Sequence, residues 1–264
     1  MKSFNLLFIT QEDPFYVRIF FEEFLRDYPR REEIEAVVIA PTMGKRSLAK
    51  LARQMHDFYG TKDFIKVGIK YAYYKLRNRL TPLLPAGRFY SIKQVCDHYK
   101  VPVLYADNIN DETFLATIRC YDLDLVISVA APQVFRGALI AIPRLGCINI
   151  HNAKLPKYRG MLPNFWQMYH GERKVGTTIH RINDRLDDGD ILLQQETPIL
   201  SGETLDSLII RTKKIGAAVM IQALDGLKNG MLRPMPNSSA EATYFGFPSK
   251  DDVSAFRRKG YRLI

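Results

Sequence analysis

The stretch LGCINIH, residues 145–151, is a short apolar run that ends on a histidine. Its composition predicts a β-strand, and side chains two residues apart on a strand share a face. Asn149 and His151 are therefore expected on one face, and Ile148 and Ile150 on the other. His151 stands where the strand ends, and open α/β sheets bind their ligands at the carboxyl ends of their strands.

Two polar segments follow this strand: LPKYRG at residues 155–160 and LDDGD at residues 186–190. The amide of Asn149 can bind a developing oxyanion beside an imidazole that moves a proton, and the carboxylate of Asp187 can orient that imidazole. Each segment alone also fits an ordinary loop or an acidic turn. Their order and spacing together favour a catalytic site built from Asn149, His151 and Asp187.

This ordered set resembles the folate-dependent formyltransferase family, which includes methionyl-tRNA, glycinamide ribonucleotide and nucleotide-sugar formyltransferases. The resemblance is strongest over residues 122–198. It implies that Asn149, His151 and Asp187 are the catalytic residues, and it leads us to expect a cis peptide before Pro156. One departure follows His151, where residues 152–154 read Asn-Ala-Lys and many members carry a small residue and then Ser-Leu.

The resemblance further implies that 10-formyltetrahydrofolate is the formyl donor and that two loops bind it. One follows the apolar strand at residues 123–129, where accessible backbone suits a flat pterin ring, although the same segment also fits a plain strand-to-helix connection. The facing wall is the loop at residues 183–187. The expected donor-binding residues are Val129, Ala131, Gln133, Val134, Asn183 and Asp184. No metal is expected, since no His or Cys pair has metal-ligand spacing, and His180 is interpreted as a packed strand residue.

The first part of the chain predicts a parallel α/β sheet. Two apolar strands, residues 4–10 and 36–40, enclose a helix that is expected to begin at Asp13-Pro14. Such a unit implies a right-handed crossover between parallel strands. No glycine-rich dinucleotide fingerprint follows the first strand, which argues against a nicotinamide or flavin site.

The second part predicts an antiparallel hairpin and a covering helix. Residues 175–182 and 191–199 read as two strands joined by the acidic turn, and residues 204–228 read as a long amphipathic helix. The expected fold is a mostly parallel, Rossmann-like sheet flanked by helices, of the formyltransferase type. We expect a catalytic domain at residues 1–230 and a short C-terminal appendage at residues 231–264.

The net charge of +10 is concentrated in residues 43–84, a basic helical insertion with possible breaks at Gly60 and Gly68. The basic residues there are Lys45, Arg46, Lys50, Arg53, Lys62, Lys66, Lys70, Lys75, Arg77 and Arg79. An apolar stripe runs through Phe64, Ile65, Ile69, Tyr73 and Leu76. Three interpretations stay open: the stripe packs on its own domain or on a second subunit in a homodimer, the helix lies on an anionic membrane, or it meets phosphates of a nucleotide or RNA.

The three cysteines are widely spaced, which indicates reduced thiols and not a disulfide framework. The apolar run near the N-terminus is too short for a signal peptide, so a cytoplasmic protein is expected. The resemblance implies an enzyme that formylates the primary amine of a small molecule, and we expect a nucleotide-linked amino sugar. The appendage is too short for the β-barrel domain of tRNA-formylating members, which argues against tRNA. The alternatives are a methionyl-tRNA formyltransferase, a formyltetrahydrofolate hydrolase and a non-catalytic folate- or anion-binding module.

Overall fold

The computed structural model describes residues 4–41, 48–80 and 87–264 of the chain. Its strands are β1 (Leu6–Gln11), β2 (Ile34–Ala40), β3 (Val103–Tyr105), β4 (Leu125–Val129), β5 (Cys147–His151), β6 (Arg159–Gly160), β7 (Lys174–Arg181), β8 (Ile191–Pro198) and β9 (Tyr244–Phe245). Its helices are α1 (Val17–Asp27), α2 (Leu48–Leu80), α3 (Ile92–His98), α4 (Glu112–Arg119), α5 (Gly137–Ile140), α6 (Pro163–Tyr169), α7 (Leu205–Lys228) and α8 (Lys250–Arg258).

The main sheet of the described residues has the strand order β3-β2-β1-β4-β5-β7-β8. Strands β1 to β5 run parallel, while β7 runs antiparallel to both β5 and β8. The predicted mostly parallel sheet with a late hairpin is therefore confirmed. The chain winds outward from β1 to β3 and then returns to the other side of β1 to add β4. The strand order reverses between β1 and β4, and open α/β sheets bind their ligands in the crevice outside the carboxyl ends of the strands at such a point.

Helices pack on both faces of the sheet, so its parallel strands carry apolar side chains on both sides. On β1, Leu6 and Phe8 join a core beneath α1, α3 and α7, whereas Leu7 and Ile9 join a core beneath α4 and α5. The continuous apolar run of β1 follows from this burial. Helix α7 begins with a capping box in which the side chain of Thr204 accepts the backbone N–H of Ser207.

Helix α1 begins later than its sequence predicts. Asp13 Oδ1 accepts the backbone N–H groups of Phe15 at 2.7 Å and Tyr16 at 3.1 Å, which closes a turn and not the first turn of the helix. The φ and ψ angles of Tyr16, −122° and −49°, are not helical, so the helix starts at Val17. Asp13 therefore caps the turn that leads from β1 into α1.

Helix α2 bends at Gly60, where φ is 69° and ψ is 164°, while the break considered at Gly68 is absent. The interpretation that its apolar stripe packs on its own domain is wrong. Tyr74 is buried against the domain, whereas Ile65, Ile69, Tyr73 and Leu76 are exposed and only Phe64 of the stripe is half-buried. The parts of the predicted insertion at residues 43–47 and 81–84 lie outside the described residues. Where the structure describes the chain, no helix is both long and apolar enough to cross a bilayer.

The C-terminal segment packs over the loop that follows β5. Strand β9 pairs in parallel with β6, and the indole Nε1 of Trp166 donates to the carbonyl of Gly246 at 3.0 Å. The rings of Phe165 and Phe256 stack with their centres 4.6 Å apart. The proposed appendage at residues 231–264 thus supplies part of the support for the polar loop at residues 155–160.

Gly160 fixes how closely β6 approaches β9, so we predict that Gly160→Ala destabilises the protein. Its φ is +98°, and an added Cβ would lie 2.3 Å from the carbonyl oxygen of Phe245. Strain and overpacking should together cost roughly 2–4 kcal/mol in the free energy of unfolding. Urea unfolding measures this cost, with Gly68→Ala in an open helical position as the control. Equal midpoints for the two variants would contradict the prediction.

Candidate functional site

Strand β5 places the two predicted polar side chains on one face at its carboxyl end. Ile148 and Ile150 pack in the core under α7, as their alternation predicts. Asn149 is half-buried and His151 is buried on the other face. The peptide between Leu155 and Pro156 is cis. The short loop that contains it carries the chain from His151 back to β6.

The carboxylate of Asp187 meets both of these side chains from the turn between β7 and β8. Its Oδ2 atom lies 3.6 Å from His151 Nδ1, and its Oδ1 atom lies 3.5 Å from Asn149 Nδ2. The backbone N–H of Gly160 donates to Oδ2 at 2.9 Å. The turn closes tightly because Gly189 has no side chain: a Cβ there would lie 2.0 Å from the carbonyl oxygen of Arg181. The structure thus brings the three predicted catalytic residues together.

A backbone carbonyl determines which ring nitrogen of His151 carries a hydrogen in the neutral form. Its Nε2 atom lies 2.8 Å from the carbonyl oxygen of Tyr158, which can only accept, so Nε2 carries a hydrogen. In the neutral ring, Nδ1 is then bare and faces the carboxylate of Asp187. A proton taken up at Nδ1 converts this contact into a charge-assisted hydrogen bond. Nδ1, which faces Oδ2 of Asp187, is therefore the ring atom at which this pair gains or loses a proton.

Burial and charge act in opposite directions on this pair. Burial lowers the pKa of His151 below its ordinary value, and the negative charge of Asp187 only partly offsets the effect. Burial alone would raise the pKa of Asp187, but His151, His180 and the N–H of Gly160 outweigh it and hold that pKa well below its usual range. At neutral pH the site therefore holds a carboxylate beside an imidazole that is ready to accept a proton.

His180 belongs to the same network, although its sequence context suggests only a packed strand residue. Its Nδ1 atom donates to the carbonyl of Arg181 at 2.8 Å, which leaves Nε2 bare in the neutral ring. The amide of Asn149 donates to that Nε2 at 3.1 Å, and Asp187 Oδ1 lies 3.5 Å from it. His180 thereby orients the Asn149 amide with its NH2 group towards Asp187. Apolar neighbours on β7 conceal this role in the sequence.

Two residues from distant parts of the chain hold the acidic turn. Arg159 is buried and donates to Asn237 Oδ1 at 3.0 Å, and it also pairs with Asp188. The side-chain amide of Asn237 donates to the carbonyl oxygens of Asp187 at 2.9 Å and Gly189 at 3.1 Å. No local sequence signal indicates Asn237, because its partners lie about fifty to eighty residues away along the chain.

A buried lysine lies close enough to the site for its charge to act on His151. Lys213 projects from α7 and is 8% exposed. Burial lowers its pKa, and the charge of Asp13 acts in the opposite direction. The charge of Lys213 also contributes to the lowered pKa of His151. Its position among the apolar residues of an amphipathic helix gave no sequence signal for this role.

The loop predicted to bind the donor is rigidly held beside β4. Val129 is buried, and Gln133 uses its side chain to accept the N–H of Ile109 at 3.0 Å and donate to Asp107 at 2.8 Å. The side chain of Asn110 donates to the carbonyl of Val134 at 2.9 Å. Val134 itself is 67% exposed. The exposed side chain of Val134 and the partly exposed residue Ala131 are therefore accessible features of this loop.

The predicted facing wall lies in the turn that carries Asp187. Asn183 and Asp184 are exposed, and Asn183 Oδ1 accepts the N–H of Arg185 at 3.0 Å. Leu186, next to Asp187, is 54% exposed. Within residues 4–41, 48–80 and 87–264, no three His, Cys, Asp or Glu side chains are arranged to hold a metal ion.

Comparison with known proteins explains this arrangement. The sequence model described as formyl transferase matches residues 80–224, more than half of the chain. The chain belongs to the formyl transferase family. A methionyl-tRNA formyltransferase of Lachnospira eligens is 33% identical over 196 residues, which cover 71% of this chain and 62% of that protein. This chain therefore spans less than two thirds of the length of that curated relative.

Solved structures share the fold at lower sequence identity. WlaRD, a sugar 3N-formyl transferase solved in the presence of dTDP and 5-N-formyl-THF, superposes with a TM-score of 0.59 at 15% identity, covering 100% of this chain and 84% of that one. Glycinamide ribonucleotide transformylase 1 from Symbiobacterium toebii gives 0.59 at 16% identity, covering 89% and 96%. These similarities confirm the predicted fold class.

Removal of the charge at position 187 should lower the pKa of His151 further. In Asp187→Asn the burial of the ring remains, but the carboxylate that favours the imidazolium is lost. NMR titration of the histidine rings measures this pKa, and Asp190→Asn, an exposed carboxylate in the same turn, is the matched control. An unchanged or raised pKa of His151 in Asp187→Asn would contradict the account of the pair.

Proposed function

We propose that this chain transfers a formyl group from 10-formyltetrahydrofolate to a primary amine. The observation that carries the proposal is the meeting of Asn149, His151 and Asp187 at the end of β5, next to the crevice between β1 and β4. The three groups combine an amide donor, a proton acceptor and a buried carboxylate. This set suits attack of an amine on an acyl carbon.

The two loops beside the crevice supply features that fit the donor. The exposed side chains of Val134 and Leu186 offer apolar surface for a flat heterocycle, and Asn110 and Gln133 hold the first loop in place. The donor-binding role of Val129, Ala131, Gln133, Val134, Asn183 and Asp184 is part of this proposal. A neighbour of the same fold was solved with 5-N-formyl-THF, which supports a folate donor here.

His151 and Asp187 remove the proton that the attacking amine must lose. The amine nitrogen forms a bond to the formyl carbon, and its proton passes to Nδ1 of His151, directly or through one water molecule. Asp187 then stabilises the imidazolium across the 3.6 Å contact between Oδ2 and Nδ1. The Tyr158 carbonyl keeps the second ring hydrogen on Nε2, so Nδ1 is the atom that accepts and returns the proton.

Asn149 stabilises the negative charge that develops on the formyl oxygen. One N–H of its amide is held by His180, and the other makes only a long contact of 3.5 Å with Asp187 Oδ1, which it exchanges for the oxyanion when that charge develops. When the bond from the formyl carbon to N10 of the folate breaks, the proton held at His151 passes to that nitrogen. The products are the formylated amine and tetrahydrofolate, with no net change in protons on the enzyme.

The acceptor that we propose is a small amine carried on a nucleotide, as in a nucleotide-linked amino sugar. Sugar formyltransferases of the same fold support it. The curated relative supports a second candidate, methionyl-tRNA. The sequence-based argument against tRNA therefore finds no support among the relatives. Initial rates with matched concentrations of the two acceptors distinguish them.

Two further functions make different use of the same site. A hydrolase would release formate from formyltetrahydrofolate without any amine present. A folate- or anion-binding module would bind the donor without product across all acceptors. We favour transfer because the site pairs an oxyanion donor with a group that can accept the proton of an amine.

His151→Ala is predicted to lower kcat/KM for amine formylation by roughly 10²–10⁴-fold, the usual contribution of a positioned general base. Steady-state assays with formyltetrahydrofolate and the better acceptor measure the effect. His98→Ala, an exposed histidine on α3, is the matched control and should keep the rate of the unmodified protein. Near-normal turnover by His151→Ala would rule out this mechanism.

A further inference from the structure

The second half of α2 has an inner face that docks on the domain. Tyr74 is 5% exposed, and its ring centre lies 5.5 Å from that of Phe15 and 5.4 Å from that of Tyr90. Lys70, one turn earlier, lies 3.9 Å from Asp206 Oδ1. These contacts fix which side of the helix faces away from the protein.

The outer face carries a stripe of large apolar side chains. Ile65 is 55% exposed, Ile69 67% and Leu76 56%, and Tyr73, at the edge of the stripe nearest the domain, is 50% exposed although its ring centre lies 6.1 Å from that of Tyr90. Their spacing of four, four and three residues aligns them along one side of an α-helix. Isolated exposed apolar residues need no explanation, but a contiguous row of them indicates a surface that binds something. We call these four residues the outer stripe.

Positive charge borders the outer stripe. Lys62 lies at its N-terminal end, and the helical repeat places Lys66 and Arg79 along its two edges. From Phe64 to Leu80 the sequence contains no acidic residue. Lys66 lies 3.7 Å from Asp63, a long contact to an exposed lysine that contributes little energy. The face therefore combines apolar side chains with cations at its border.

We propose that this face of α2 binds the surface of a phospholipid bilayer that carries anionic headgroups. The outer stripe enters the boundary between headgroups and acyl chains, while Lys62, Lys66 and Arg79 meet the headgroup phosphates. Helices that lie in a membrane interface show this division of apolar and basic residues. Each cation near such a surface adds electrostatic attraction. The proposal does not depend on formyl transfer.

Charge and polarity favour an anionic bilayer over two other partners, a second copy of this chain and a nucleic acid. A second copy would bring the basic borders of two such helices together, and like charges repel at close range. A nucleic acid would meet the lysines and arginines, but it would leave Ile65, Ile69 and Leu76 without apolar contacts. An anionic bilayer offers phosphates to the cations and apolar acyl chains to the outer stripe.

Vesicle co-sedimentation of the full chain tests the proposal. Vesicles of phosphatidylcholine alone are compared with vesicles of equal parts phosphatidylcholine and phosphatidylglycerol. The protein should bind the anionic vesicles on the order of tenfold more tightly, and added salt should weaken the binding. Ile69→Asp and the double variant Lys66→Glu, Arg79→Glu should each reduce binding to anionic vesicles by a similar factor or more.

Matched substitutions outside the face serve as controls. Met231→Asp changes a side chain that is 68% exposed, and Arg233→Glu reverses an exposed charge in the same loop. Both should bind anionic vesicles as the unmodified protein does. Circular dichroism of every variant checks that the fold is retained, since all of these side chains are at the surface.

Four results would overturn the proposal. They are equal binding to both kinds of vesicle, unchanged binding by Ile69→Asp, an equal loss in Met231→Asp, and no binding at all. Self-association without lipid that Ile69→Asp abolishes would instead assign the face to a second copy. Binding of tRNA that the double charge reversal abolishes and Ile69→Asp leaves unchanged would instead assign it to nucleic acid.

Discussion

The buried carboxylate of Asp187 is the interaction on which the rest of the site depends. It accepts the N–H of Gly160 and lies within 3.6 Å of His151, His180 and Asn149. These partners come from separate elements, so one side chain links β5, β6 and β7. A buried charge without such partners would be costly. The fold supplies them, and the pKa of Asp187 is held low as a result.

Two histidines surround this carboxylate, and backbone carbonyls give them different tautomers. The carbonyl oxygen of Tyr158 accepts a hydrogen bond from Nε2–H of His151, whereas the carbonyl oxygen of Arg181 accepts one from Nδ1–H of His180. His151 is therefore left with a basic atom facing Asp187, and His180 with an acceptor facing Asn149. The same ring chemistry thus serves proton transfer at one position and amide orientation at the other.

Most strands of the main sheet could be predicted from sequence because their signals are local, and the proximity of Asn149, His151 and Asp187 could be predicted because the order of their motifs resembles that of a known family. The alternation around Asn149 and His151 gives their common face, and the acidic turn gives Asp187. The roles of His180 and Asn237 depend on contacts between distant segments, which no local pattern shows. The sequence also left open which way the α2 stripe faces, for a related reason. Aromatic partners from other parts of the chain bury Tyr74 and turn the isoleucines outward.

The central claim is that a formyl folate binds in the crevice beside Asn149, His151 and Asp187. Titration of the protein with a stable formyl-folate analogue, followed through the NMR signals of its histidine rings, tests this claim most directly. The account predicts saturable changes in the signals of His151 and His180 and none in that of His98, which lies outside the crevice on α3. No binding, or saturable binding that leaves His151 and His180 unperturbed, would contradict it.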